Sequence, residues 1–194
     1  MTTILAGCGG EDDVSDGEVE AAVEPTVTPT LESRRSEVVR ELRTLMEIET
    51  AVHSVETVVE AEADGGFLSS DSLLLVAHGH VTAGVDLTYI GDANVEVIDY
   101  KTIRVMLPDS VILASVLDQN QTQVVSRDTG LLSSEDESLE EEAIEEAEIK
   151  ILQSACDHAI LDRAASEAEA RILALLNGLE FETVTVVAQA GTCP

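Results

Sequence analysis

Leu73-Leu74-Leu75-Val76-Ala77-His78-Gly79-His80-Val81-Thr82-Ala83-Gly84-Val85-Asp86-Leu87 is the stretch that decides the fold. After Val76 the bulkier apolar residues, Val81, Val85 and Leu87, keep to alternate positions, the period of a strand with one buried face. The run is long for a single strand, so Gly79 or Gly84 is expected to mark a bulge or bend. Upstream, residues 50–60 are rich in Thr and Val and read as a strand ending at Asp64-Gly65-Gly66. Residues 33–46 place Val38, Val39, Leu42, Leu45 and Met46 at helical spacing, with Ser33 as the expected N-cap. Downstream, 94–98 and 102–107 form a hairpin around Asp99-Tyr100-Lys101. A turn at Leu107-Pro108-Asp109-Ser110 follows, then short strands at 111–117 and 123–127.

After Arg127 the period changes to 3.6. Ser134 and Glu137 read as a capping box, with acids in the first turn where the helix dipole favours them. Leu139, Ala143, Ala147 and Ile151 form one apolar stripe, continued after a slip near Ala155 by Leu161, Ala165, Ala168, Ile172 and Leu176. A single helix over 135–177 would be about 65 Å long, so a break near Ala155–His158 is expected. Gly178 suits a helix end, and Thr183–Ala188 reads as a closing strand. The fold class is α+β: an antiparallel-rich sheet packed on a long C-terminal helical segment. Ile149, Leu152, Cys156, Ile160 and Leu173 lie off the stripe, and suggest a second apolar surface for a partner or another copy.

Of 194 residues, 39 are Asp or Glu and 10 are Lys or Arg, a net charge of −29. That field repels polyanions, which argues against nucleic acid as a partner. The length suits one domain, and a 44% hydrophobic content excludes full disorder. The charge is uneven. Residues 11–24 hold seven acids and no base, and 135–148 hold nine acids and no base. The first run leads into Pro25-Thr26-Val27-Thr28-Pro29, so residues 9–31 read as a disordered acidic tether and 32–190 as the domain. The second run reads chiefly as a solvated helix face.

Residues 1–8 end in Leu5-Ala6-Gly7-Cys8, which resembles the bacterial lipobox, whose cysteine is alkylated by diacylglycerol and becomes the mature N-terminus. An acidic, proline-bearing tether directly after it suits a domain held off a membrane. Only Met1–Ile4 precede the motif, where a secretory signal needs a basic region and about 7–15 apolar residues. Either the true start lies upstream, so that residues 1–8 are the end of a truncated signal peptide, or the tetrapeptide is a chance match; the expectation is the former. With Cys8 lipidated, Cys156 and Cys193 remain as an even pair that either bridges or stays as two thiols.

Val76-Ala77-His78-Gly79-His80-Val81-Thr82-Ala83-Gly84-Val85-Asp86-Leu87, the 94–107 hairpin ending in Leu107-Pro108, Leu117-Asp118, Arg127-Asp128-Thr129-Gly130 and the Ala-rich helix together resemble the bacterial domain of unknown function 4230. The resemblance covers roughly 38–188. It implies an α+β domain, typically behind an N-terminal membrane anchor, and brings no catalytic residues. The long helix after a small sheet is also distantly similar to band-7/prohibitin domains, at the level of fold alone.

His78 and His80, two apart on a strand, share a face and could both reach a metal, with His53 or Asp86 as a third ligand; the plain alternative is a half-exposed strand. Asp86, Asp118 and Arg127 are the polar residues to follow in the sheet, as a structural ion pair or turn contacts. The Asp12–Val23 segment mimics a calcium loop, but Val14 and Val23 stand where oxygen ligands are required. No nucleophile elbow, phosphate loop or dinucleotide fingerprint is present, and no cofactor is expected. The expectation is a non-catalytic, exported, lipid-anchored envelope protein on the extracytoplasmic face. A small-ligand or metal-binding lipoprotein is the alternative, and a hydrolase the third.

Overall fold

The structure is a computed structural model that describes residues 30–64, 70–130 and 137–194. Cys8, most of the tether and Ser134 lie outside the described residues.

The first helix, α1 (Leu31–Thr44), starts ahead of the expected cap. Thr30 is the N-cap, its Oγ1 accepting from the Ser33 N–H at 3.2 Å, while the Ser33 hydroxyl donates to the Thr30 carbonyl. The earlier start lets Leu31 join Val38, Val39 and Leu42 on the core. Met46 follows the helix at φ 54°, the left-handed region that reverses a chain after a helix.

Strands β1 (Glu47–Asp64) and β2 (Ser70–Asp86) pair antiparallel along their whole length. No bulge falls in β2. The extra residues sit in its partners: Thr50 in β1, Leu113 in β5 (Val111–Leu117) and Val125 in β6 (Gln123–Thr129). Gly84 instead permits close approach, because a Cβ there would lie 2.0 Å from the Ile48 carbonyl oxygen. β5 pairs with Gly79–Gly84 and β6 with Asp71–Val76, so they lie end to end along β2. They are one interrupted third strand. The interruption, Asp118–Thr122, is pinned by the Asp118 N–H donating to the His78 carbonyl at 2.8 Å.

A second sheet departs from the one-sheet expectation. Strands β3 (Val95–Val97) and β4 (Thr102–Met106) form the expected hairpin, and β7 (Thr183–Val187) closes it, running parallel to β4. A parallel partner needs a long crossover. The helices between supply it.

Those helices are α2 (Glu137–Asp157) and α3 (Ile160–Asn177), broken at His158–Ala159 with Ala159 at φ 51°. The predicted stripe is buried throughout: Leu139, Ala143, Ala147, Ile151, Leu161, Ala165, Ala168, Ile172 and Leu176 face the sheets. Against it lie Leu73, Leu75, Ala77, Val81, Ala83 and Val85 of β2. The second apolar helix surface is not there. Ile160 is fully buried, Leu152 and Leu173 pack on the core, Cys156 is bridged, and of the five residues Ile149 alone is exposed. The break re-phases α3 relative to α2, turning inward residues that a continuous helix would leave outside. The Glu140–Glu142, Glu145, Glu146 and Glu148 side chains are exposed, as a solvated face requires.

Among the described residues, no helix packs on the opposite face of the large sheet. Val52 and Val58 of β1 and Val111 and Val116 of β5 are roughly half exposed on it.

Candidate functional site

The four histidines of the chain are His53, His78, His80 and His158. Strand alternation sorts three of them. His53 points to the helix side of the hairpin, and His78 and His80 to the open side. His53 therefore cannot complete a site with His78 and His80. Asp86 cannot either, since it lies six residues beyond His80 on β2, about 20 Å along the strand, where its Oδ1 accepts from the Thr88 N–H and hydroxyl.

On the helix side, the His53 ring stacks on His158, centroids 4.8 Å apart, at the α2–α3 break. The His158 Nδ1 donates to the Ser154 carbonyl at 2.7 Å, and Ser154 Oγ lies 3.4 Å from His53 Nε2. Burial lowers the His53 pKa, and His158 and Arg163 add to the shift. A hydroxyl beside an imidazole is the pairing of a nucleophile with its base, but 3.4 Å is at the long limit of a hydrogen bond. Ser154 also sits inside α2, where backbone N–H groups are committed to the helix and cannot hold an oxyanion. The arrangement is a packed ring pair under the break.

Beside it, Cys156 and Cys193 are joined, with Cα atoms 6.1 Å apart. The bridge fastens the tail after β7 to the end of α2. The tail is also held where the Ser110 N–H donates to the Gln189 carbonyl, and the buried Ser110 hydroxyl donates to the Leu161 carbonyl at 2.8 Å.

On the open side, Glu56 of β1 stands directly opposite His78 of β2 in the register, and Ser54 opposite His80. The Glu56 Oε2 lies 3.2 Å from His78 Nε2. Ser54, Glu56, His78, His80, Asp118 and Gln121 line a shallow depression of about 270 Å³. Asp118 is the anchor of its own loop, accepting from the Asn120 N–H and the Gln121 side-chain amide. That amide is the first cause of its lowered pKa. As the side chains stand, no three His, Cys, Asp or Glu among the described residues converge as a metal site.

Arg127 finds its partner in Asp71, a residue that sequence reasoning missed, with Nη2 2.6 Å from Oδ2 and Thr129 donating to Oδ1. The missed signal was an acid at the start of a strand otherwise apolar on that face. Glu56 was missed for a different reason, because only the β1–β2 register places it beside His78.

Two further hollows are accounted for by structure. One, about 330 Å³ between α1 and Gly178–Phe181, has its cation engaged: Arg34 lies over Phe181 at 4.9 Å and donates to the Tyr100 carbonyl. The other, about 470 Å³, is the groove between α2 and the third strand, floored by Leu75, Leu117 and Ile144. No helix among the described residues is long and apolar enough to cross a membrane.

These parts define an α+β domain built on one long hairpin, with a bridged tail and a histidine pair on each side of the sheet. The chain belongs to the family described as protein of unknown function (DUF4230), whose model matches residues 40–186. The matched span runs from α1 to β7 and takes in both sheets and both long helices. Searches of curated proteins and of solved structures return no match.

Proposed function

We propose that this is an exported, lipid-anchored envelope protein, non-catalytic, that acts by association. Cys8 attaches it to the membrane, and its surface meets partners or a second copy. The Cys156–Cys193 bridge is the observation that carries this reading. Structural disulfides persist in oxidising compartments outside the cytosol, and the bridge consumes two of three cysteines. The one left over is Cys8, which stands in the lipobox-like Leu5–Cys8 ahead of an acidic tether. Association is supported by the sheet face that no helix among the described residues covers, where Val52, Val58, Val111 and Val116 are half exposed.

The test is metabolic labelling in the native cell with an alkyne palmitate analogue, followed by fractionation. The parent chain should label and sediment with membranes, and Cys8→Ala should lose both. Equal, soluble behaviour of the two overturns the anchor. Light scattering of the delipidated chain tests self-association, and a strict monomer at high concentration restricts association to other partners.

A further inference from the structure

We propose that His78, His80 and Glu56 hold an exchangeable zinc-type divalent cation on the open face of the large sheet. The inference is independent of the membrane anchor.

Three relations on the hairpin carry it. His78 and His80 lie two apart on β2, so they share a face with Cα atoms about 6.5–7 Å apart. Glu56 is the direct cross-strand partner of His78, which sets their Cβ atoms about 4.5–5.5 Å apart. The three side chains therefore rise from the corners of a small triangle. One edge is already at the separation a metal requires. Two ligands of one tetrahedral zinc, with bonds of about 2.0–2.2 Å, sit about 3.3–3.5 Å from each other. Glu56 Oε2 and His78 Nε2 are 3.2 Å apart.

His80 is the group that must move, and it is free to do so. Its side chain is exposed, opposite small Ser54 on β1 and beside Val116 on β5. Turning the ring toward Glu56 unpacks no core residue. The backbone beneath is fixed, because the His78 carbonyl and N–H are tied to Asp118 and Thr122 of the interrupting loop. Asp118 stays with its loop, so the protein supplies three ligands and the fourth position opens to the depression. Two imidazoles and a carboxylate suit Zn(II) and its spectroscopic surrogate Co(II) over calcium, which prefers six or more oxygens. Three protein ligands with an open fourth position set the site apart from closed, four-ligand structural zinc sites, and leave the ion accessible to exchange. A His78–Glu56 surface ion pair, the simpler alternative, would give His80 no part.

The experiment is a Co(II) titration of the chelator-stripped full chain, read by visible d–d absorption, with Zn(II) displacement. Cys8→Ser in every sample removes the free thiol as a ligand, and millimolar magnesium occupies the acidic helix face. One equivalent of cobalt should bind and be displaced by zinc. His78→Ala and His80→Gln should each weaken binding by more than about tenfold, and Glu56→Gln should weaken it and alter the band shape. His53→Ala and His158→Ala should bind as the parent does. His80→Gln changes an exposed residue, so its loss of binding cannot be laid to unfolding, and far-ultraviolet dichroism checks each variant. Loss of binding in the His53 and His158 variants instead, equal binding by parent and His80→Gln, or no d–d absorption in the parent would each overturn the proposal.

Discussion

Arg127 closes on Asp71 across β6 and β2 with two nitrogens, Nη2 2.6 Å from Oδ2 and Nε 3.3 Å from Oδ1, and Asp71 is almost wholly buried. A carboxylate out of water depends on its partner, and removing the partner leaves an uncompensated charge. Arg127→Leu should therefore destabilise the domain by about 2–3 kcal/mol, below a fully buried pair because the guanidinium keeps some water. Urea midpoints measure it. A loss under about half a kcal/mol would mean that Asp71 is held by its other hydrogen bonds alone.

The Cys156–Cys193 bridge closes a loop of 37 residues containing α3 and β7. Chain entropy gives such a cross-link about 3–4 kcal/mol. Cys156→Ser with Cys193→Ser, or reduction of the parent, should lower the melting temperature by several degrees. Unchanged melting after verified reduction would show that the tail's contacts with Ser110 suffice.

His53 has its pKa lowered by burial first, then by His158 and Arg163. The folded chain thus takes up this proton less readily than the unfolded one. As pH falls through about 6.5, the unfolded state gains the proton and folding loses stability. Melting temperature should drop between about pH 7.5 and pH 5.5, and His53→Gln should drop less. Parallel curves for parent and variant would remove the ring pair as the cause.

Gly84 and Gly79 both lie in β2 with no room for a Cβ, but against different neighbours. At Gly84 the obstacle is the Ile48 backbone, at 2.0 Å; at Gly79 the nearest atom is the flexible Cδ1 of Ile151, at 2.7 Å. Backbone cannot step aside as a side chain does. Gly84→Ala should cost about 3 kcal/mol and Gly79→Ala about 1 kcal/mol, by denaturant titration. The reverse order would mean that the Val116 carbonyl, 2.9 Å from the Gly79 position, is the harder obstacle.

Ala159 separates α2 from α3 at φ 51°, a conformation that costs an L-residue about 1 kcal/mol and glycine little. Ala159→Gly should leave stability unchanged or raise it by up to about 1 kcal/mol. The control Ala170→Gly, exposed inside α3, should lower it by about 1 kcal/mol. Equal losses at both positions would contradict the left-handed break.

The amino-acid sequence by itself determined the elements of this protein. Side-chain periodicity is a local property, so the alternation through β2 and the 3.6 stripe from Leu139 to Leu176 mark strand and helix without reference to the rest of the chain. It also placed the break beside its observed position, because a slip in the stripe near Ala155 is written in order. What it could not contain is which strand lies beside which. The departure of β3, β4 and β7 into a second sheet, the end-to-end laying of β5 and β6 on β2, and the burial of Ile160 depend on packing among distant segments. The open-face cluster has the same origin. His78 and His80 are neighbours by local geometry, but Glu56 joins them only through a hairpin register fixed by burying one whole face, since a slip of one residue would turn Glu56 to the helix side.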